Sequence, residues 1–169
     1  MNEGLNRRPL IAAGTSLGIG MGGFVDGILF HQILQLHAML SARYPKVGVD
    51  PATALVNVDI NMFWDGLFHA LTWTMTALGL ALLWRAVRRR DVPLSTGTLV
   101  GSMSLGWGLF NLVEGLIDHE ALGVHHVVEA GNHLLWDMSF LGSGVALILG
   151  GWATIRASRG EDAAVMTRG

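Results

Sequence analysis

Val25-Asp26-Gly27-Ile28-Leu29-Phe30-His31-Gln32-Ile33-Leu34-Gln35-Leu36-His37 closes a long apolar run that begins near Leu10. The same pattern returns as Val113-Glu114-Gly115-Leu116-Ile117-Asp118-His119-Glu120-Ala121-Leu122-Gly123-Val124-His125. The Val, the Gly, both His and one Leu are identical, Asp26 is answered by Glu114, and in the same register Gly18 and Gly20 fall on Gly106 and Gly108. Apolar helices resemble one another by composition alone. A match at polar positions needs a further cause, and an internal duplication supplies it. A weaker match aligns Trp64-Asp65 with Trp136-Asp137 and sets Asn61 against His133.

Outward from this repeat, four apolar stretches can be followed, from about Leu10 to Leu36, Ile60 to Trp84, Leu94 to Ile117 and Val127 to Trp152. Each is near or above the ~20 residues a helix needs to cross the hydrocarbon. Of the 169 residues, 51% are hydrophobic and 14% charged, with a mean hydropathy of +0.45; soluble domains carry roughly 25% charged residues. The expected partner is therefore the lipid bilayer. The absence of a basic tract interleaved with aromatics argues against nucleic acid. Cysteine is absent, which excludes disulfides, thiolate metal sites and cysteine nucleophiles. The first run is too long for a cleaved signal peptide and carries Asp26 and His31.

Basic residues orient the spans. Arg7 and Arg8 precede the first, Arg85, Arg88, Arg89 and Arg90 follow the second, and Arg156, Arg159 and Arg168 follow the fourth. The other two loops hold only Arg43 and Lys46. The positive-inside rule puts both termini in the cytoplasm, as in a multi-pass inner-membrane protein. The expected fold is an all-α membrane protein, a four-helix transmembrane bundle made of two tandem helical hairpins (repeat 10–85 and 94–153) about a pseudo-twofold axis along the membrane normal. Equivalent residues would oppose one another across that axis, Asp26 and His31 against Glu114 and His119, and Asp65 against Asp137. The stripe Gly14, Gly18, Gly22 predicts close helix packing.

Alternating span directions place the ionisable residues in one layer, the outer half of the bilayer. At 1.5 Å per residue, Asp26, His69, Glu114 and His133 fall within roughly 15 Å of the outer boundary. Asp65 and His69, and His133 and Asp137, are four apart and share a helix face. Asp26 and His31 are five apart, so both can reach one ion only through a local bulge or a wide site. A carboxylate near the bilayer centre costs at least ~2.5–3.5 kcal/mol, and Asp26, Asp65, Glu114 and Asp137 have no lysine or arginine inside any span. Bound metal would balance their charge. Asp26, His31, Asp65, His69, Glu114, His119, His133 and Asp137 are the candidate ligands, and His37 and His125 are either further ligands or, with His126, an access funnel. The donor set suits zinc, iron or manganese, and copper(II) less distinctively. Trp64 and Trp136 are expected to pack beside the site.

The two quoted segments, with Asp65-Gly66-Leu67-Phe68-His69 and Asn111-Leu112-Val113-Glu114, resemble a bacterial family of predicted membrane proteins of unknown function, over about Gly14 to Trp152. The resemblance implies a four-span inner-membrane protein and associates it with genes for assembly of copper-containing terminal oxidases, hence with respiratory oxidase assembly partners. It brings no ligand set. His119-Glu120 departs from the family pattern, which has a second histidine there.

A membrane metalloprotein for metal handling or redox chemistry leads these readings. Haem held by two of His31, His69, His119 and His133 is an alternative that leaves the carboxylates unexplained. A proton or cation transporter is another, although the inner halves of the spans are nearly free of ionisable groups. A zinc hydrolase has no His-Glu-x-x-His motif to single it out.

Overall fold

Glycine decides how the helices meet. A Cβ on Gly18 would run into the backbone carbonyl of Met103, and one on Gly106 into that of Thr15, so the first and third helices approach backbone to backbone at these points. Gly14 and Gly22 face the same neighbour, against Ser102 and Leu99 and against Trp107 and Phe110. The expected stripe is thus the seam of a central helix pair.

The structure, a computed structural model, describes residues 5–129 and 131–166, with side chains as far as Ser158; Arg168 lies outside the described residues. The chain is all helical among the described residues. The helices are α1 (Arg8–Phe24), α2 (Pro51–Val87), α3 (Thr96–Glu114) and α4 (His133–Met166). Both α1 and α3 continue without a break as π-helix, over Val25–Ile33 and Gly115–Ala121. All four are long and apolar enough to cross a membrane. In space they form a row: α1 and α3 pack together, α2 lies against α1, and α4 lies against α3. Among the described residues α2 and α4 do not meet. Their sides carry the exposed apolar residues, such as Leu71, Trp73, Leu135 and Leu149, which suits helices that face lipid.

The helix ends differ from the apolar boundaries for local reasons. α2 starts at Pro51 rather than near Ile60, because the Asp50 carboxylate accepts from the N–H groups of Ala52 and Thr53 (3.1 and 3.2 Å) and Pro51 has φ preset for a first turn. At roughly 55 Å for 37 residues, α2 exceeds the hydrocarbon thickness. The third span runs on past Ile117 to Ala121. α4 starts at His133, six residues after Val127, because the chain from Leu122 onward is engaged in loop contacts. Both π segments stop in the same way. Leu34 N–H bonds Leu29 O and Leu36 N–H bonds Phe30 O; Leu122 N–H bonds Ile117 O and Val124 N–H bonds Asp118 O. Gln35 and Gly123 then take positive φ, 51° and 54°. These pairs are related by the offset that aligns Asp26 with Glu114.

The two loops leaving the π segments interlock at the end of the molecule opposite the start of α1. Ala42 N–H bonds Val124 O at 3.0 Å, the Arg43 guanidinium bonds Leu122 O at 2.8 Å, and Ser41 Oγ donates to the Glu129 carboxylate at 2.6 Å. In the first loop Asn61 acts as a clamp, accepting from Leu40 N–H and donating to Tyr44 O and Asn57 O. At the other end Arg88 lies over Trp84 and Arg156 over Trp152, with 5.8 and 3.9 Å to the ring centroids. Tryptophan beside arginine at a helix end is a pairing common at membrane–water interfaces. Trp64 and Trp136 were expected to pack beside the site. Instead they point outward, 43% and 51% exposed, because α2 and α4 flank the row and turn that face to lipid.

Candidate metal centre

A π-helix bonds residue i to i+5. That register answers the five-residue spacing of the sequence. Asp26 Oδ2 lies 3.0 Å from His31 Nε2, and Glu114 Oε1 lies 2.9 Å from His119 Nε2. In α-helical geometry these pairs would diverge. Two more histidines come from the loops. His37 and His125 fold back over the π segments and are as buried as a core leucine, 3% and 0% exposed. His125 Nε2 reaches Glu114 Oε1 at 2.8 Å, and His37 Nε2 lies 3.9 Å from Asp26 Oδ1. The four rings touch: centroids are 4.4 Å apart for His31–His37, 4.7 Å for His37–His125 and 4.8 Å for His119–His125.

Three of these rings are hydrogen-bonded from behind through Nδ1, and the fourth, His119, has a carboxylate oxygen facing its Nδ1 without a hydrogen bond. His37 Nδ1 donates to Val127 O at 2.9 Å, and His125 Nδ1 donates to Met39 O at 3.0 Å. His31 Nδ1 is 2.8 Å from Asp65 Oδ1, and His119 Nδ1 is 3.3 Å from Asp137 Oδ1. Asp65 and Asp137 are themselves held by backbone, through Met39 N–H at 2.9 Å and Val127 N–H at 3.0 Å. A carbonyl can only accept, so the tautomer of His37 and His125 is decided: the proton is on Nδ1 and, in the neutral ring, Nε2 carries a lone pair. All four Nε2 atoms therefore turn toward Asp26 and Glu114.

This leaves a conflict of lone pairs. An imidazole Nε2 and a carboxylate oxygen at 2.8–3.0 Å repel unless a second proton or a cation stands between them. Asp26 Oδ2, His31 Nε2, His37 Nε2, Glu114 Oε2 and His119 Nε2 are all buried without a hydrogen-bond partner. His37 lies beyond the spans. Burial first, and then the neighbouring His125 and His31, push its pKa down to about 2, so its ring is neutral. Among the described residues, no lysine or arginine makes a salt bridge to Asp26, Asp65, Glu114 or Asp137; every close pairing is with histidine.

Of the expected ligands, Asp26, His31, Glu114 and His119 are brought together, joined by His37 and His125. Asp65 and Asp137 were expected to face each other. They do not, because α2 and α4 are kept apart; each backs the histidine of its own half. His69 stands aside from the cluster. Its Nδ1 bonds Asp65 O at 2.7 Å within its own helix, and its Nε2 is buried against Gly27. His133 lies at the start of α4 with His126, which pairs with Asp137 at 2.8 Å. His126 is a partner that sequence alone left undecided, its only signal being the His-His doublet. The carbonyls of Met39 and Val127 had no signal at all.

No match was found among curated proteins or among solved structures. Residues 13–158, most of the chain, match a family profile. The chain thus belongs to the family described as predicted membrane protein DUF2243.

Proposed function

We propose that the protein is an integral membrane metalloprotein whose buried centre holds a divalent transition metal through Asp26, His31, His37, Glu114, His119 and His125. The observation that carries this is His37 Nε2. It is a buried lone pair on a ring kept neutral, aimed into a cluster of other unpartnered nitrogens and carboxylate oxygens. Protonation of other rings cannot complete it; a cation in the triad His31, His37 and His125, whose donor atoms lie within 4.8 Å of one another, does, and Glu114, His119 and His125 form a second such triad beside it. Metal–nitrogen bonds of about 2.0–2.1 Å put neighbouring ligand atoms roughly 3 Å apart, which the separations of 2.8–3.0 Å support. Asp65 and Asp137 then act as positioning residues, in the carboxylate–histidine–metal arrangement that fixes ring orientation and raises ligand basicity.

Four imidazoles and two carboxylates suit zinc, iron, manganese or copper(II). Rings in mutual contact favour an ion over a porphyrin as the occupant. The same reading takes the two hairpins as halves related by a pseudo-twofold axis along the membrane normal, supported by the reciprocal His37–Val127 and His125–Met39 bonds. With the arginine-rich end cytoplasmic, the centre lies in the outer half of an inner membrane. Metal handling linked to respiratory oxidase assembly is the role that the family resemblance favours; metal-dependent redox chemistry is the other use of such a centre.

The test is elemental analysis of protein purified in mild detergent without chelator, native and His37→Ala/His125→Ala. At least one tightly held transition-metal ion per native chain, lost in the variant, is the expected result. A native protein that takes up no Zn²⁺, Fe²⁺, Mn²⁺ or Cu²⁺ on reconstitution would refute it.

A further inference from the structure

Among the differences between the two halves, one adds histidines beside the buried centre. At Ala38 and Asn61 the first half has a small side chain and an amide fully used in clamping its loop. The corresponding positions of the second half are His126 and His133. Their rings stack with centroids 4.3 Å apart and planes 30° from parallel. Both turn Nδ1 toward the same carboxylate oxygen, Asp137 Oδ2, at 2.8 and 3.7 Å. The three donors lie within 4.8 Å of one another. Asp137 is 1% exposed at its side chain, while His126 and His133 are 25% and 52% exposed.

We propose that His126, His133 and Asp137 form a second divalent-metal site, open to solvent, that loads the buried centre. Three points carry it. The first is the donor set: two imidazoles and a carboxylate bracket the roughly 3.3 Å ligand spacing of a tetrahedral ion. The second is access. Three ligands, with the His126 ring a quarter and the His133 ring half exposed, leave a coordination position open, which is the condition for rapid exchange, whereas the six inner donors are buried beneath the interlocked loops. The third is continuity. Asp137 Oδ2 faces the outer pair, and Asp137 Oδ1 lies 3.3 Å from His119 Nδ1, whose Nε2 meets Glu114. One carboxylate thus faces the outer pair through Oδ2 and backs an inner ligand through Oδ1, so a cation held by the outer pair lies one imidazole, that of His119, from the buried centre. The loading role rests on the buried-centre reading; the outer site does not.

The experiment uses the full chain in detergent, stripped of metal and titrated with Co²⁺, whose visible ligand-field bands report imidazole and carboxylate coordination. Native protein should show one labile Co²⁺, removed within seconds by chelator, and a second class that fills slowly and resists it. His126→Ala/His133→Asn, the second change copying Asn61, should abolish the labile class. It should slow filling of the retained class roughly 10- to 100-fold, the scale of losing ligand-shell residues, with the final retained content unchanged. His37→Ala/His125→Ala should do the reverse, keeping the labile ion and losing the retained one. An unchanged labile class in His126→Ala/His133→Asn overturns the outer site. Loss of the labile class with native filling kinetics overturns the loading role. A labile ion with no retained class in native protein refutes the buried centre and leaves the outer site standing.

Discussion

His37 and His125 stack face to face, 4.7 Å between centroids and 6° from parallel, and each is held by the other half's loop through a carbonyl, that of Val127 or of Met39. Neither ring could be placed by its own hairpin alone. The two halves are therefore coupled at the centre itself, and a defect in one loop disorders the ligands of both.

Substitution should reveal that coupling. His37→Ala removes an inward Nε2 donor and also frees the Val127 carbonyl that steadies the second loop. Transition-metal retention should fall in His37→Ala and in His125→Ala to a similar degree, measured by elemental analysis after gel filtration. A strongly one-sided result would contradict the reciprocal arrangement.

Asp65→Asn keeps the shape but gives up the charge behind His31. If Asp65 orients a ligand and does not bind metal, affinity should drop about 10- to 100-fold with stoichiometry retained. Competition with a chromophoric chelator reads this directly. Asp65→Ala should be worse, because Met39 N–H also loses its acceptor. Loss of a whole ion in Asp65→Asn would instead make this carboxylate a direct ligand.

The central seam should be intolerant of bulk. Gly18→Leu and Gly106→Leu each force a side chain into a backbone carbonyl of the facing helix, and overpacking of this kind costs about 1–3 kcal/mol or more. Lower thermal stability in detergent is the expected readout. Gly66→Ala and Gly142→Ala, where a Cβ meets nothing within 4 Å, serve as controls and should leave the midpoint unchanged or raised.

Acid should both empty and loosen the molecule. His37 is neutral in the fold, with its pKa lowered by burial to about 2, against 6.5 when free. Between those values the unfolded chain binds the extra proton and the folded chain does not. Stability therefore holds above about pH 6.5 and declines as pH falls below it. Metal should leave over the same range, since protons compete for imidazole. Thermal unfolding of metal-free native and His37→Ala protein compared from pH 8 to 5 isolates the first effect; the same pH dependence in both would mean that His37 is not buried in the neutral form.

The sequence by itself determined the number of spans, the seam and the layer. Apolar run length is a local property set by the bilayer. The Gly14–Gly18–Gly22 period is a helical face. The layering of Asp26, His31, Glu114 and His119 follows from alternating chain direction. The match of the two histidine segments pointed to paired hairpins. What only the tertiary structure decided is the register and the roles. The five-residue Asp–His spacing reads as divergent until the backbone bonds i to i+5, a choice made jointly by the loops that terminate both π segments at Gln35 and Gly123. His69 has as ligand-like a spacing from Asp65 as His133 has from Asp137, yet its Nδ1 bonds its own helix. Asp65 and Asp137 back their histidines because the outer helices of the row never meet. His37 and His125, loop residues by sequence, are as enclosed as the ligands on the helices. Their positions depend on carbonyls some ninety residues away in sequence, and no local pattern records a contact made across that distance.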